Sequence, residues 1–196
     1  MRTFITVIVL IFSLQSWTKA DDIRDFQIEG ISIGDSLLDY MTINEINSAE
    51  KNQTIMGDYT MIYYYYSPNT DKLYDFVQIA YLINDKNYKI HQISGFLNFS
   101  NKIKKCLKKK EEIEKDVSQS FINIKINKKE NLAHPYDKTG NTKYWSTDHI
   151  FNNGGVVNVG CTDWSGKFET EKGWVDALDV NITSDMYWKY LTKFYN

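Results

Sequence analysis

The residues whose types could do chemistry are few. They are two cysteines, Cys106 and Cys161, three histidines, His91, His134 and His149, and a run of four tyrosines, Tyr63 to Tyr66. An even pair of cysteines with no third competitor most simply forms one disulfide in an oxidising compartment. Their wide spacing is nothing like the C-x-x-C of thiol oxidoreductases, and two buried free thiols or a nucleophilic cysteine are the other readings.

The histidines have no i,i+4 pair and no cysteine neighbour, whereas a zinc site needs three or four convergent ligands. His149 follows Asp148 inside a predicted strand, where successive side chains face opposite ways, so the two should not form a dyad. A hydrolase-type site would have to be assembled from dispersed residues such as His134, Asp137, Asp148 and His149. Gly154-Gly155 and Gly30-x-x-x-Gly34 lack the Gly-Lys-Ser/Thr ending of a phosphate loop and read as turn and strand-edge glycines. The sequence thus assigns no catalytic residue, no metal ligand and no cofactor.

Recognition is better served. A strand carrying Tyr63, Tyr64, Tyr65 and Tyr66 puts two rings on each sheet face, and only one pair is needed for a core. The other pair must lie under a helix, face solvent or meet a partner such as a sugar or a peptide. With Trp164 these tyrosines are the candidate binding surface, and Trp145, Trp174 and Trp188 are further rings of the second half.

The elements that must position these residues follow from periodicity. Phe26 to Gly34 alternates apolar and polar and predicts a strand; Leu37, Leu38 and Met41 predict a short helix behind Asp35 or Ser36. Thr42-x-x-Glu45 fits a capping box that opens a second helix. Strands are expected over Tyr59 to Tyr66, and then as a hairpin of Tyr74 to Ile83 with Tyr88 to Ile93. Ile103, Cys106, Leu107, Ile113, Val117 and Phe121 mark the longest helix, capped by Ser100 or Asn101 and showing water a lysine-rich face. The run Lys102 to Lys110 holds six lysines, but acids follow at once, which fits a solvated face better than a membrane-docking one. Phe121 to Thr142 reads as a polar stretch, followed by a hairpin of Lys143 to Phe151 with Val156 to Asp163. Trp174 to Thr183 reads as a last strand, and Ser184 caps a C-terminal helix. The expected fold class is therefore α+β, an antiparallel sheet built from hairpins and covered on one face by helices.

Residues 1–20 pair a short positive start with the apolar run FITVIVLIFSL and end in Thr18 and Ala20 at the −3 and −1 positions of a cleavage site, the pattern of a secretory signal. The mature chain, 21–196, reads as a single globular domain with no low-complexity linker and no transmembrane segment. It carries 21 basic and 25 acidic residues, a formal charge of −4, which argues against general nucleic-acid binding.

The segment FQIEGISIGDSLLDYM, residues 26–41, together with Ser94-Gly95, the Cys106 helix and the VGCTDW block at residues 159–164, resembles a group of uncharacterised exported proteins of AT-rich bacteria. That resemblance implies export and a shared architecture over most of the mature chain, and no reaction. A fainter likeness, carried by Ile33-Gly34-Asp35-Ser36-Leu37-Leu38, is to the small lipoproteins of the outer-membrane β-barrel assembly machinery. It implies an envelope interaction module, although the lipid-attachment cysteine of that group is missing here. The expectation is a periplasmic or secreted, non-enzymatic module whose partner is a protein, a glycan or an envelope component. A hydrolase with a dispersed site and a secreted inhibitor or effector are the alternatives.

Overall fold

The structure is a computed structural model, and it describes residues 22–65, 71–100, 102–121 and 123–195; the segment 1–20 expected to be a secretory signal, Asn101 and Tyr66 lie outside the described residues. Eight antiparallel strands form one sheet: β1 (Thr54–Met56), β2 (Tyr59–Tyr65), β3 (Phe76–Leu82), β4 (Ile90–Asn98), β5 (Lys125–Ala133), β6 (Lys143–Ile150), β7 (Val156–Asp163) and β8 (Ala177–Thr183). Their order across the sheet is β1-β2-β3-β4-β8-β7-β6-β5. Two four-stranded meanders are thus joined edge to edge through the β4–β8 ladder, and each meander is followed in the chain by a helix. The expected α+β class holds.

Strand alternation gives the sheet two unlike faces. Ile62, Val77, Ile79, Ile93, Leu178, Val180, Ile182, Val157, Val159 and Cys161 all project to one side and form the main core. Over β6 to β8 that side is closed by helix α2 (Ile103–Ser120), whose Cys106 and Val117 are fully buried. The rest of the core is made with the N-terminal segment, through Ile23, Ile28, Ile31, Ile33, Leu37 and Ile46, the last on helix α1 (Ile43–Ala49). The capping box of α1 is present as expected: Glu45 N–H donates to Thr42 Oγ1, and the Thr42 N–H donates to Glu45 Oε2 at 2.8 Å.

Cys106 and Cys161 are joined as a disulfide, tying α2 to β7 with both residues out of contact with water. The expected link of helix to sheet is present.

Four sequence readings change. Phe26 to Gly34 is no strand: Glu29 and Gly30 both take positive φ (55° and 84°), and Ile28 and Ile31 exchange hydrogen bonds across that tight turn. Apolar alternation arises there because a looped ribbon also buries every second or third residue. The polar stretch conceals β5, whose sequence KINKKENLA shows no alternation because, at the sheet edge, nearly all of it is exposed. A charged edge strand of this kind discourages pairing with other chains. The N-cap of helix α2 is Lys102, which makes no side-chain capping hydrogen bond, in place of the expected Ser100; the alternative, Asn101, lies outside the described residues. Finally, Lys110 turns inward, against the lysine-rich water face: it pairs with Glu114 and donates to Thr147 Oγ1 at 3.1 Å, while Lys128 approaches Glu114 at 3.8 Å. An ion pair this buried specifies how α2 sits on β6 more than it adds stability.

The opposite face is covered only in part. Helix α4 (Asp185–Tyr195) lies over the first residues of β2, where Tyr187 meets Tyr59, Met61 and Ala80. Ser184 caps it as expected, accepting from the Tyr187 N–H at 3.3 Å. Helix α3 (Gly166–Lys172), unforeseen in the sequence, follows β7. No helix among the described residues is long and apolar enough to cross a membrane.

Removing the disulfide by Cys106→Ala with Cys161→Ala should lower unfolding stability by up to about 4 kcal/mol, the chain entropy of a loop this long. Urea denaturation of the double variant against the oxidised parent measures it. An unchanged midpoint would mean that the bond constrains nothing.

Candidate functional site

The residues of the partly open face fall into cross-strand rows. One row runs Tyr65, Phe76, Phe96, Asp179, Gly160, Ser146, Lys129 over seven strands, each residue directly opposite the next. The adjoining row runs Tyr63, Gln78, Ser94, Asn181, Asn158, Asp148, Asn127. Directly opposed side chains in such rows lie within contact distance, so each row behaves as a continuous strip.

The first strip is aromatic at one end. Tyr65 lies 5.1 Å from Phe76 between ring centroids, and Phe76 stacks on Phe96 at 4.6 Å with planes 7° apart. It then reaches the carboxylate of Asp179. The side chain of Asp179 leans over Gly160: a Cβ there would stand 2.8 Å from Asp179 Oδ1, which explains a glycine in the middle of a buried strand. Asp179 accepts from Asn181 Nδ2 at 2.5 Å. Burial pushes its pKa up, the Asn181 amide opposes the shift, and no described lysine or arginine pairs with it. The second strip is an amide and carboxylate ladder: Asn181 Nδ2 donates to Asn158 Oδ1 at 3.2 Å, and Asn158 Nδ2 donates to Asp148 Oδ1 at 2.6 Å. Lys129 pairs with Asp148 Oδ2 at 3.2 Å.

A second aromatic wall rises opposite the first. Trp164 lies 4.4 Å from Trp174 and 4.7 Å from His134, and Phe168 of α3 stacks on Trp174. Polar bonds hold this group in place. Asp137 accepts from Thr139 Oγ1 (2.6 Å) and the Thr142 N–H (2.8 Å), closing the turn that presents His134. Thr142 Oγ1 accepts from the Ser165 N–H at 3.1 Å, and buried Asp176 accepts from the Trp164 N–H at 3.2 Å. The Thr139 hydroxyl and the Thr142 amide hold the Asp137 carboxyl well below the usual carboxylate range. Burial keeps His134 below the ordinary histidine value.

Between the walls lies a cleft of about 610 Å³, floored by Ala177, Thr162 and Asp179. Tyr63, Tyr65 and Trp164 of the expected binding surface all line it. Tyr65 is 69% exposed and Trp174 38%, so both rings stand at the mouth. Tyr64 points to the other side of β2, and Tyr66 lies outside the described residues. Trp145 is on the α2 side, directly opposite Cys161 in the ladder.

The dispersed hydrolase residues do not converge. Asp148 and His149 point to opposite faces as strand geometry requires, and His149, buried under α2, has its Nδ1 3.2 Å from the Val157 carbonyl. His134 and Asp137 share one turn, but the Asp137 carboxylate is occupied with closing it. Among the described residues no group of three His, Cys, Asp or Glu is placed to hold a metal ion. Phe76, Phe96, Asn181 and Asp179 carry no signal as separate residues. The alternation Ala177, Asp179, Asn181, Thr183 along β8 does mark its polar face, and that was the clue available.

Comparisons with protein-family models, curated proteins and solved structures find no match to this chain.

Two outcomes test this geometry. Gly160→Ala should push the Asp179 carboxylate toward the cleft at a cost of up to about 1 kcal/mol, because the crowded atoms are the movable end of a side chain; a loss of about 3 kcal/mol or more would mean that the carboxylate cannot move. Burial also lowers the pKa of His149 from 6.5, as it does for His91 and His134. The unfolded chain therefore takes up protons first, and stability falls as pH drops through the unfolded value. The raised carboxyls of Asp176 and Asp179 act in the opposite sense, their contribution being lost as pH rises through their folded values. Comparing urea midpoints of the parent and His149→Gln isolates the imidazole: the variant should lose less stability between about pH 7.5 and pH 5.5.

Proposed function

We propose that this protein is an exported, non-enzymatic binding module that takes its ligand in the aromatic cleft on the partly open sheet face. The supporting observation is convergence. Rings from β2, β3 and β4 on one side, and from the β5–β6 turn, the residue after β7 and the segment before β8 on the other, line a single cleft. Aromatic rings of this size are costly to leave at a surface and are effective at gripping flat or apolar ligand faces. The walls are also pre-built: the Asp137 turn, the Ser165 hook and the Asp176 contact fix the second wall by hydrogen bonds before any ligand arrives. A site already ordered in this way loses little entropy on binding.

Export rests on the leader at residues 1–20, on the resemblance to exported proteins and on the disulfide, a bond that persists in oxidising compartments. The periplasm or the extracellular medium is the proposed location. The partner is a small molecule, a glycan or a short segment of an envelope component, sized by the cleft.

The test uses the mature chain. After incubation with an extract of the exported fraction of its source cell, native mass spectrometry should show a retained ligand, and tryptophan emission should shift because Trp164 and Trp174 line the cleft. Tyr65→Ala and Trp174→Ala, both at the mouth, should each weaken retention about tenfold, the effect of losing about 1.4 kcal/mol from an aromatic anchor that the ligand covers. Retention unaffected by both variants would place the ligand elsewhere. A second measurement reads export: the intact mass of the native protein should correspond to a chain that begins at Asp21.

A further inference from the structure

We infer that the cleft selects an organic cation, namely a quaternary ammonium group on a neutral carrier, with the Asp179 carboxylate as its counter-ion and the rings of both walls as its cage. This rests on the reading of the cleft as the binding site and specifies what it takes.

Three observations point to a cation. Among the described residues lining the cleft, Asp179 is the only formally charged one, and none is a lysine or arginine. The carboxylate has no cationic partner among the described residues, although Asp148, one row away, has Lys129 at 3.2 Å. The same sheet face thus neutralises one buried carboxylate and leaves the other open to the cleft. Aromatic residues continue the row beyond Asp179: Phe96 stands directly opposite it in the β4–β8 register, stacked on Phe76, and Tyr65 comes next. The negative faces of aromatic rings attract a cation whose water has been removed, and a carboxylate at the base of such a cage adds a full countercharge. His134, the one titratable nitrogen in the described lining, has its pKa lowered by burial; the same effect raises that of Asp179, and a cation seated beside the carboxyl opposes that rise by favouring its ionised form.

The kind of cation follows from what the cleft lacks. A primary ammonium brings three N–H donors and a strongly held water shell, and a guanidinium brings five donors. The cleft offers few acceptors to replace that water: Asp179 already takes the Asn181 amide, and Thr162 and Asn98 are the other polar side chains at floor level. A quaternary ammonium has no donors, so rings and a single carboxylate suffice. A carrier with an anionic group close to the nitrogen, such as a phosphodiester or a carboxylate, would place like charge near Asp179 with no lysine or arginine in the lining to offset it. A neutral carrier avoids that repulsion.

The experiment titrates the mature protein with choline and with its neutral analogue, in which a tert-butyl group replaces trimethylammonium, following tryptophan emission and calorimetry. Phosphocholine and a phosphocholine-bearing lipid vesicle are further arms that distinguish a free cation from a lipid headgroup. Choline should bind at least tenfold tighter than the neutral analogue, and phosphocholine and vesicles should bind more weakly than choline. Asp179→Asn keeps the shape and the amide contact but removes the charge. It should erase the preference by weakening choline at least tenfold while leaving the neutral analogue unchanged. Trp174→Ala should weaken both. Equal binding of choline and its analogue, or full choline affinity in Asp179→Asn, overturns the cation assignment while leaving the cleft as the binding site. Tighter binding of phosphocholine or vesicles overturns the neutral carrier. Absence of binding by all four probes, with the native ligand still retained in a Trp174-dependent way, overturns the cation alone; loss of that retention too overturns the cleft reading itself.

Discussion

The register of β4 against β8 is the constraint on which the rest of the structure depends. This ladder is the only junction between the two meanders among the described strands, and it pairs Phe96 with Asp179, Ser94 with Asn181 and Ile93 with Ile182. A slip of one residue would turn every side chain of one strand to the other face. Leu178, Val180 and Ile182 would then leave the core under α2, and Asp179 would be driven into it. The apolar core therefore fixes the register, and the register sets the aromatic row of one meander beside the carboxylate of the other. The aromatic cleft is a by-product of core packing at this junction.

The two faces differ in how their side chains are held. The face under α2 carries the disulfide, the continuous aliphatic core and the buried Lys110–Glu114 pair, all of which fix the helix against β6 and β7. The opposite face holds its polar groups in a ladder, with Asn and Asp side chains bonded across strands. A ladder of this kind can stay near water without a desolvation penalty, because its members already have partners. Asp179 departs from that pattern: one amide serves it, no cation does, and the neighbouring strand gives up a side chain at Gly160 to make room for it.

Much of the fold was legible in the sequence because long strands and helices announce themselves by period. The Tyr59 strand, both hairpins, the Cys106 helix, the Thr42 capping box and the Ser184 cap all follow from local pattern. Where an element is short, looped or at an edge, that signal fails. Residues 26–34 alternate yet turn back on themselves through Glu29 and Gly30, and β5 pairs with β6 on both sides of an irregularity between Lys129 and Leu132 without any apolar face to declare it. The candidate surface was half legible: Tyr63, Tyr65 and Trp164 line the cleft, whereas Tyr64 faces away on the same strand.

By itself the sequence determined local matters: which segments are strands or helices, which cysteines could pair, which tyrosines alternate, and that no contiguous motif for metal or phosphate is present. These depend on residues near one another in the chain, where period and spacing carry the information. Only the tertiary structure decided that Phe96 and Asp179, 83 positions apart, stand side by side, that Trp164 and Trp174 close the opposite wall, and that Lys110 turns inward. The physical reason is that these neighbours are chosen by strand order and register, which follow from burying the whole apolar face at once and leave no mark on the short-range pattern.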